Sequence, residues 1–151
     1  MEYKSKSEKE TLKIGEKIAA DLKPGDIVLL QGELGVGKTT LTKGILGYFR
    51  IKNIVSPTFT IMQIYQIAQS AQQPIRTLVH IDTYRSEDEQ ELIDIGIKDY
   101  LGKKNNICII EWPEKIDNLI KNQFNYLRII ITDIGAGQRK INVEQSPKQN
   151  L

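Results

Sequence analysis

Residues 32–39 read Gly32-Glu33-Leu34-Gly35-Val36-Gly37-Lys38-Thr39, a full match to G-x-x-x-x-G-K-[ST]. Glycines let the backbone turn so that successive N–H groups converge on one phosphate. A helix leaving such a loop adds its positive N-terminal end. Lys38 has the reach to meet a β- or γ-phosphate, and the Thr39 hydroxyl is of the type that ligates Mg²⁺. With Thr40, the segment is a candidate cradle for Mg²⁺–ATP. The bland alternative is a glycine-rich turn without a ligand. Context argues against it, because an apolar run (27–30) feeds the loop and a helical pattern (41–49) leaves it.

In open α/β sheets, ligands sit beyond the carboxyl ends of the strands. Asp82 follows the apolar run 78–81 and Glu111 follows 107–110. Either carboxylate could hold Mg²⁺, directly or through water, or orient an attacking water. The alternative for each is a surface or helix-capping role. Glu111, Asp82 and Lys38 are thus the candidate catalytic groups, and Thr39, Glu111 and Asp82 the candidate metal ligands. His80 is the only histidine, and a lone histidine in an apolar run is more often a hydrogen-bonded packing residue than a ligand or base. Trp112 is the only tryptophan; its default role is packing, but its place beside Glu111 lets it report on the site. Thr58 and Thr60, in Ser56-Pro57-Thr58-Phe59-Thr60, stand where P-loop GTPases carry a γ-phosphate-sensing switch, or simply at a strand start. Arg85, close to Asp82, is a candidate local cation or partner contact.

Strands must end at these residues and a helix must begin at the loop. Ser7 with Glu10 reads as a capping box, and Leu12, Gly15, Ile18, Ala19 and Leu22 recur at helical spacing until Pro24-Gly25. The run 27–30 is apolar throughout, as for a strand buried on both faces. A moderately alternating strand over 59–67, a polar loop over 68–74 and a strand over 78–81 follow. Ser86 with Glu89 suggests a second capping box, opening a short acidic helix that stops at Gly96. After the strand 107–110, Pro113 suits the first turn of another helix. Segments 127–131 and 140–143 read as a hairpin around Gly135-Ala136-Gly137. Strands alternating with helices predict an α/β fold: a single P-loop NTPase-like domain with a mainly parallel central sheet flanked by helices and a C-terminal antiparallel hairpin. The domain is expected over residues 1–144, with 145–151 as a polar, disordered tail.

The 151 residues fit one domain with a sizeable core. Hydrophobic residues at 40% and charged residues at 26% suit a globular protein. Lys and Arg number 21 against 19 Asp and Glu, a net charge of +2 that supplies no strong basic footprint for nucleic acid. One cysteine, Cys108, excludes an internal disulfide and reads as a small buried hydrophobe. No apolar stretch reaches the roughly 20 residues of a membrane span, and the charged N-terminus lacks a signal peptide's apolar core. A cytoplasmic protein without a membrane partner is expected.

Taken together, the motifs resemble the TsaE family, also called YjeE, bacterial proteins of tRNA threonylcarbamoyladenosine synthesis. The resemblance rests on Glu10-Thr11-Leu12 with Gly15, on the loop 32–40, on Ser56-Pro57-Thr58-Phe59-Thr60, on His80-x-Asp82-x-Tyr84-Arg85, on Gly96 followed by Asp99-Tyr100, and on Glu111-Trp112-Pro113-Glu114. These segments run in family order over residues about 10 to 144. The resemblance implies a small P-loop domain and a weak, Mg²⁺-dependent ATPase that works with TsaB and TsaD. That complex places a threonylcarbamoyl group on the adenosine beside the anticodon of tRNAs reading codons that start with A. The TsaE component would meet tRNA only through the complex, and its ATP cycle would reset the complex between turnovers. Lys38 and Thr39 match the Walker A pair, Asp82 and Glu111 the essential acidic residues, and Trp112 the tryptophan of a switch-II-like segment. Thr11, in the first matching segment, joins the loop as a cofactor-binding candidate. The segment 68–76 looks longer than usual for the family.

Three other readings compete. A small-molecule kinase would carry an arginine-rich lid, whereas the arginines here are scattered (Arg50, Arg76, Arg85, Arg128, Arg139). A nucleotide-gated binding module without useful turnover is separable only by measuring phosphate release. A direct tRNA binder is disfavoured by the near-neutral charge.

Overall fold

The computed structural model describes residues 1–55, 60–70 and 74–147. The apolar run expected to be buried on both faces is strand β2 (Ile27–Gln31), whose Ile27, Val28, Leu29 and Leu30 are wholly buried. It lies at the middle of a seven-stranded sheet of order β1-β7-β6-β2-β5-β4-β3. Its neighbours β5 (Asn106–Glu111) and β6 (Leu127–Gly135) both run parallel to it, and β4 (Thr77–Asp82) runs parallel to β5. The borders are antiparallel: β3 (Met62–Gln66) on β4, and β7 (Gln138–Gln145) on β6, with β1 (Glu2–Ser5) outermost. The expected α/β P-loop-type fold is therefore present, as a mixed sheet with a parallel centre.

Helices cover both faces. On one face α1 (Glu8–Asp21) and α2 (Lys38–Tyr48) contribute Ile14, Ile18, Leu41 and Ile45, packed on Val28, Leu30, Leu78, Ile107 and Ile109. On the other, α3 (Glu89–Asp94), α4 (Asp117–Gln123) and two 3₁₀ turns bring Leu92, Ile97, Leu119 and Ile120 against Ile27, Leu29, Val79, Ile81 and Ile110. Cys108 belongs to this second core, and burial pushes its thiol up to about 12.

Several elements differ from expectation. Strand β1 was not foreseen: its charged tetrapeptide lies at a sheet edge, where a strand needs little apolar surface. The second helix starts at Lys38 inside the phosphate loop rather than at 41. The acidic helix is capped by Asp88, which accepts from the Glu91 N–H at 2.9 Å, and not by Ser86. The buried Ser86 hydroxyl donates to the Thr83 carbonyl instead. Pro113 opens a 3₁₀ turn, with α4 starting at Asp117. The hairpin strands are longer than expected around the two-residue Ala136-Gly137 turn, both with positive φ. Strand β7 runs through Gln145, and Ser146 exchanges backbone and hydroxyl hydrogen bonds with Tyr126.

Helix α1 is held on α2 by a backbone-to-backbone crossing. A Cβ on Gly44 would stand 2.2 Å from the Leu12 carbonyl oxygen. Gly44→Ala must therefore part the two helices. We expect a loss of about 3 kcal/mol, typical of severe overpacking, and a melting temperature lower by about 10 °C. Thermal denaturation followed by circular dichroism measures it. An unchanged midpoint would contradict the crossing.

Candidate functional site

The phosphate loop joins the carboxyl end of β2 to the first turn of α2. Gly37, with φ 119°, is the N-cap of α2, a backbone conformation that side-chain-bearing residues rarely adopt. The loop is anchored below by Val36, which is buried in the α1–α2 core, while Leu34 is 71% exposed at its crest. The Lys38 ammonium curls back over the loop, donating to the carbonyls of Gly32 (2.6 Å) and Glu33 (2.8 Å). The indole of Trp112 lies over it, 4.0 Å from ammonium to ring centroid. Burial lowers the Lys38 pKa, opposed by the charges of Glu111, Asp82, Glu114 and Glu33.

Strand register sets the two carboxylates side by side. Asp82 is paired with Glu111 across β4 and β5, and Glu111 with Leu30 across β5 and β2. Both acids thus stand at the same sheet end as the loop. A cleft of about 190 Å³ is lined by Leu34, Gly35, Gly37, Lys38, Thr39, Thr40, Asp82, Glu111 and Trp112. Most of the anticipated site residues therefore converge on one cavity. Two larger hollows, of about 520 and 610 Å³, lie elsewhere, and neither is lined by loop residues or by either acid.

Thr11 lies outside that group. Its fully buried hydroxyl meets the Ser5 hydroxyl at 2.7 Å and donates to the Ser7 carbonyl at 3.1 Å, joining β1 to α1. Thr58 lies outside the described residues, and the Thr60 hydroxyl accepts from Gln63.

Three supporting residues were not singled out in the sequence. Thr42, one helical turn after Lys38, donates its hydroxyl within reach of both the Lys38 carbonyl (3.0 Å) and Glu111 Oε1 (3.1 Å); the i+4 spacing could have revealed it. Arg139 reaches from β7 to donate Nε to the Val36 carbonyl at 2.6 Å, bracing the loop from outside. The Lys115 ammonium donates to the carbonyls of Thr83 and Tyr84, at 3.2 and 3.3 Å, and to that of Ser86. With the Thr83 hydroxyl donating to the Glu111 and Trp112 carbonyls, this binds the segments after β4 and β5 into one body. Arg139 and Lys115 act across long sequence separations that no local pattern encodes.

The family model described as "Threonylcarbamoyl adenosine biosynthesis protein TsaE" matches residues 5–141. The chain belongs to the TsaE family. It is 38% identical over 144 residues to the tRNA threonylcarbamoyladenosine biosynthesis protein TsaE of Bacillus subtilis, covering 93% of this chain and 83% of that protein. The TsaE protein of Treponema pallidum is 31% identical over 140 residues, covering 92% and 96%. The crystal structure of Bacillus subtilis YdiB superposes with a TM-score of 0.76 at 30% identity, covering 97% of this chain and 86% of that one. The fold and site thus sit on a TsaE scaffold, a P-loop NTPase-like domain. Among the described residues no helix is long and apolar enough to cross a membrane.

Trp112 has φ 58° and ψ 58°, and its ring also meets Tyr84 at 4.9 Å. A phosphate that drew Lys38 off the loop carbonyls would remove the cation beneath the indole. Intrinsic fluorescence of this only tryptophan is therefore expected to change on titration with Mg²⁺–ATP and to saturate. A flat response at saturation would count against the sensor role.

Burial raises the Asp82 pKa above its ordinary 3.8, opposed by a hydrogen bond from the Tyr84 N–H and joined by the nearby Glu111 charge. A carboxyl whose folded pKa is raised contributes stability present below its unfolded pKa and lost as pH rises through the folded value. At neutral pH and without metal, the ionised group is a cost that an amide removes. Asp82→Asn is expected to melt at or above the parent at pH 7 without Mg²⁺, the advantage shrinking as pH falls toward 3.8. Melting curves across pH check it; a lower midpoint at pH 7 would mean that the Asp82 charge stabilises the fold.

Proposed function

We propose that this chain binds Mg²⁺–ATP in the cleft at the loop and hydrolyses it slowly as the ATPase component of a TsaB–TsaD threonylcarbamoyladenosine-modifying complex. The observation that carries the reading is the convergence of Lys38 and Thr39 with Asp82 and Glu111, held in register on adjacent strands. Family membership supports the placement in tRNA modification, with tRNA met through the complex in the cytoplasm.

The residues suit the ligand. Among the described residues no three His, Cys, Asp or Glu side chains form a metal cage. Mg²⁺ is usually held by one or two carboxylates together with phosphate oxygens and water, and Thr39, Asp82 and Glu111 are such a donor set. Bound there, the metal would supply charge neutralisation for the phosphates. The loop N–H groups and the start of α2 would orient the phosphates, and Lys38 would exchange the Gly32 and Glu33 carbonyls for phosphate oxygens. Glu111 or Asp82 would orient the attacking water or the metal's waters. Trp112 lies over Lys38 at one wall of the cleft, and on this reading a group that excludes water comes from another chain.

Calorimetric titration with ATP, with and without Mg²⁺, combined with phosphate release alone and with TsaB–TsaD, tests this. Binding strengthened by Mg²⁺ and hydrolysis that is slow alone but accelerated by the partners is the expected result. Fast hydrolysis by the isolated chain, unaltered by the partners, would contradict it.

A further inference from the structure

The only histidine of the chain is buried to 2% exposure on β4, under α2, at a position where the strand is otherwise apolar. Residues Leu78, His80 and Asp82 alternate onto one face of β4. The imidazole is thereby set between the core and the cleft. Its Nε2 stands 3.0 Å from Glu111 Oε1. A carboxylate oxygen accepts, so Nε2 is the donor. The same oxygen takes the Thr42 hydroxyl at 3.1 Å. Among the described residues the other oxygen, Oε2, has no hydrogen-bond partner, and Glu111 lines the cleft.

The second ring nitrogen, Nδ1, is fully buried and has no hydrogen-bond partner among the described residues. In a neutral imidazole one nitrogen carries the proton and the other is an acceptor, and Nε2 is the one that donates here. The ring is therefore held as the Nε2–H tautomer by its surroundings, with its proton directed at Glu111. A histidine kept only for packing would gain nothing from this arrangement, since an apolar side chain would fill the place without an orphaned nitrogen.

The geometry points to His80 as the positioning residue of Glu111: with Thr42 it holds Oε1, so that Oε2 is presented to the metal and water side of the cleft. The inference rests on the proposed Mg²⁺–ATP site and adds to it the group that orients its principal carboxylate. His80 touches neither nucleotide nor metal in this account and acts only through Glu111.

Two measurements test it. Because the chain has one histidine, nitrogen-15 labelling of histidine gives the resonances of His80 alone. One protonated nitrogen, Nε2, is expected in the wild-type protein, with a proton signal that moves in Glu111→Gln. A proton found on Nδ1 would overturn the proposal, and this arm needs neither a His80 variant nor a working nucleotide site. The second is a mutant cycle. His80→Phe is expected to raise the Mg²⁺ concentration for half-maximal nucleotide binding, read by calorimetry, and to lower partner-stimulated turnover by roughly tenfold, the loss of one charge-assisted hydrogen bond. His80→Gln, which keeps a side-chain N–H donor, is expected to recover most of that loss. In a Glu111→Gln background the His80 substitutions should add less than about twofold, as for two residues acting through one contact. Full additivity, or a His80→Gln variant no better than one without a donor, would overturn the positioning role. If His80→Phe does not fold, Thr42→Val and His80→Gln are measured in the same cycle, with the same outcomes deciding. Wild-type protein that binds no Mg²⁺–ATP would instead refute the functional reading and leave the histidine resonances to judge the geometry.

Discussion

Glu111→Gln is expected to lose roughly a hundredfold in partner-stimulated ATP hydrolysis, about 3 kcal/mol of transition-state stabilisation, while melting close to the parent. The environment of the side chain makes the two effects separable. Oε1 accepts from Thr42 and His80, and an amide oxygen can accept the same two bonds. The amide nitrogen would then replace Oε2 on the cleft side, removing only the charge that meets metal or water. Glu111→Ala is a poorer test, because it strands the buried Nε2–H of His80 and costs about 1–3 kcal/mol for that reason alone. Asp82→Asn should slow turnover less. Asp82 is less buried than Glu111, and among the described residues its carboxylate accepts only from the Tyr84 N–H. Paired melting curves and phosphate-release rates decide. Wild-type turnover by Glu111→Gln would remove that residue from the mechanism and leave Asp82 as the acid that matters.

Lys38→Ala is expected to weaken Mg²⁺–ATP binding by roughly a hundredfold, the value of one or two charge-assisted hydrogen bonds to phosphate. The ammonium rests on the carbonyls of Gly32 and Glu33 and under Trp112. It is thus kept at the loop at a cost in desolvation, which is the direction of its lowered pKa. Alanine leaves those two loop carbonyls beside an open cleft, where water can serve them, so the fold should survive. Calorimetry on a variant with a native circular dichroism spectrum gives the answer, and undiminished affinity would refute the site.

These expectations were readable in the sequence because the residues behind them are locally encoded. The loop glycines, Lys38 and Thr39 sit in one octapeptide, and Asp82 and Glu111 each end an apolar run. Once β4, β5 and β2 pair in parallel, the acids must meet the loop. The Ser7 cap was legible for the same reason: its hydroxyl accepts from the Glu10 N–H at 3.2 Å, three residues on. Ser86 failed as a cap because two overlapping patterns, Ser86 with Glu89 and Asp88 with Glu91, both fit the rule. Burial of Ser86 against Thr83 chose between them, and that contact belongs to the tertiary structure. Thr11 matched a family segment, yet its hydroxyl is used between β1 and α1, and no local pattern announced β1. Arg139 on Val36 and Lys115 on three carbonyls are products of strand order and loop packing, which residue spacing does not carry.

On the function proposed above, ATP turnover in this cleft serves repeated rounds of tRNA modification. Reconstitution with TsaB and TsaD tests it most directly, with phosphate release and threonylcarbamoyladenosine formation followed in one reaction. Modification is expected to continue beyond one round only when the chain is present with Mg²⁺–ATP, and Glu111→Gln to stop it near the first round while phosphate release falls in step. Multiple rounds of modification at the wild-type rate with the chain omitted, or with Glu111→Gln in its place, would contradict it.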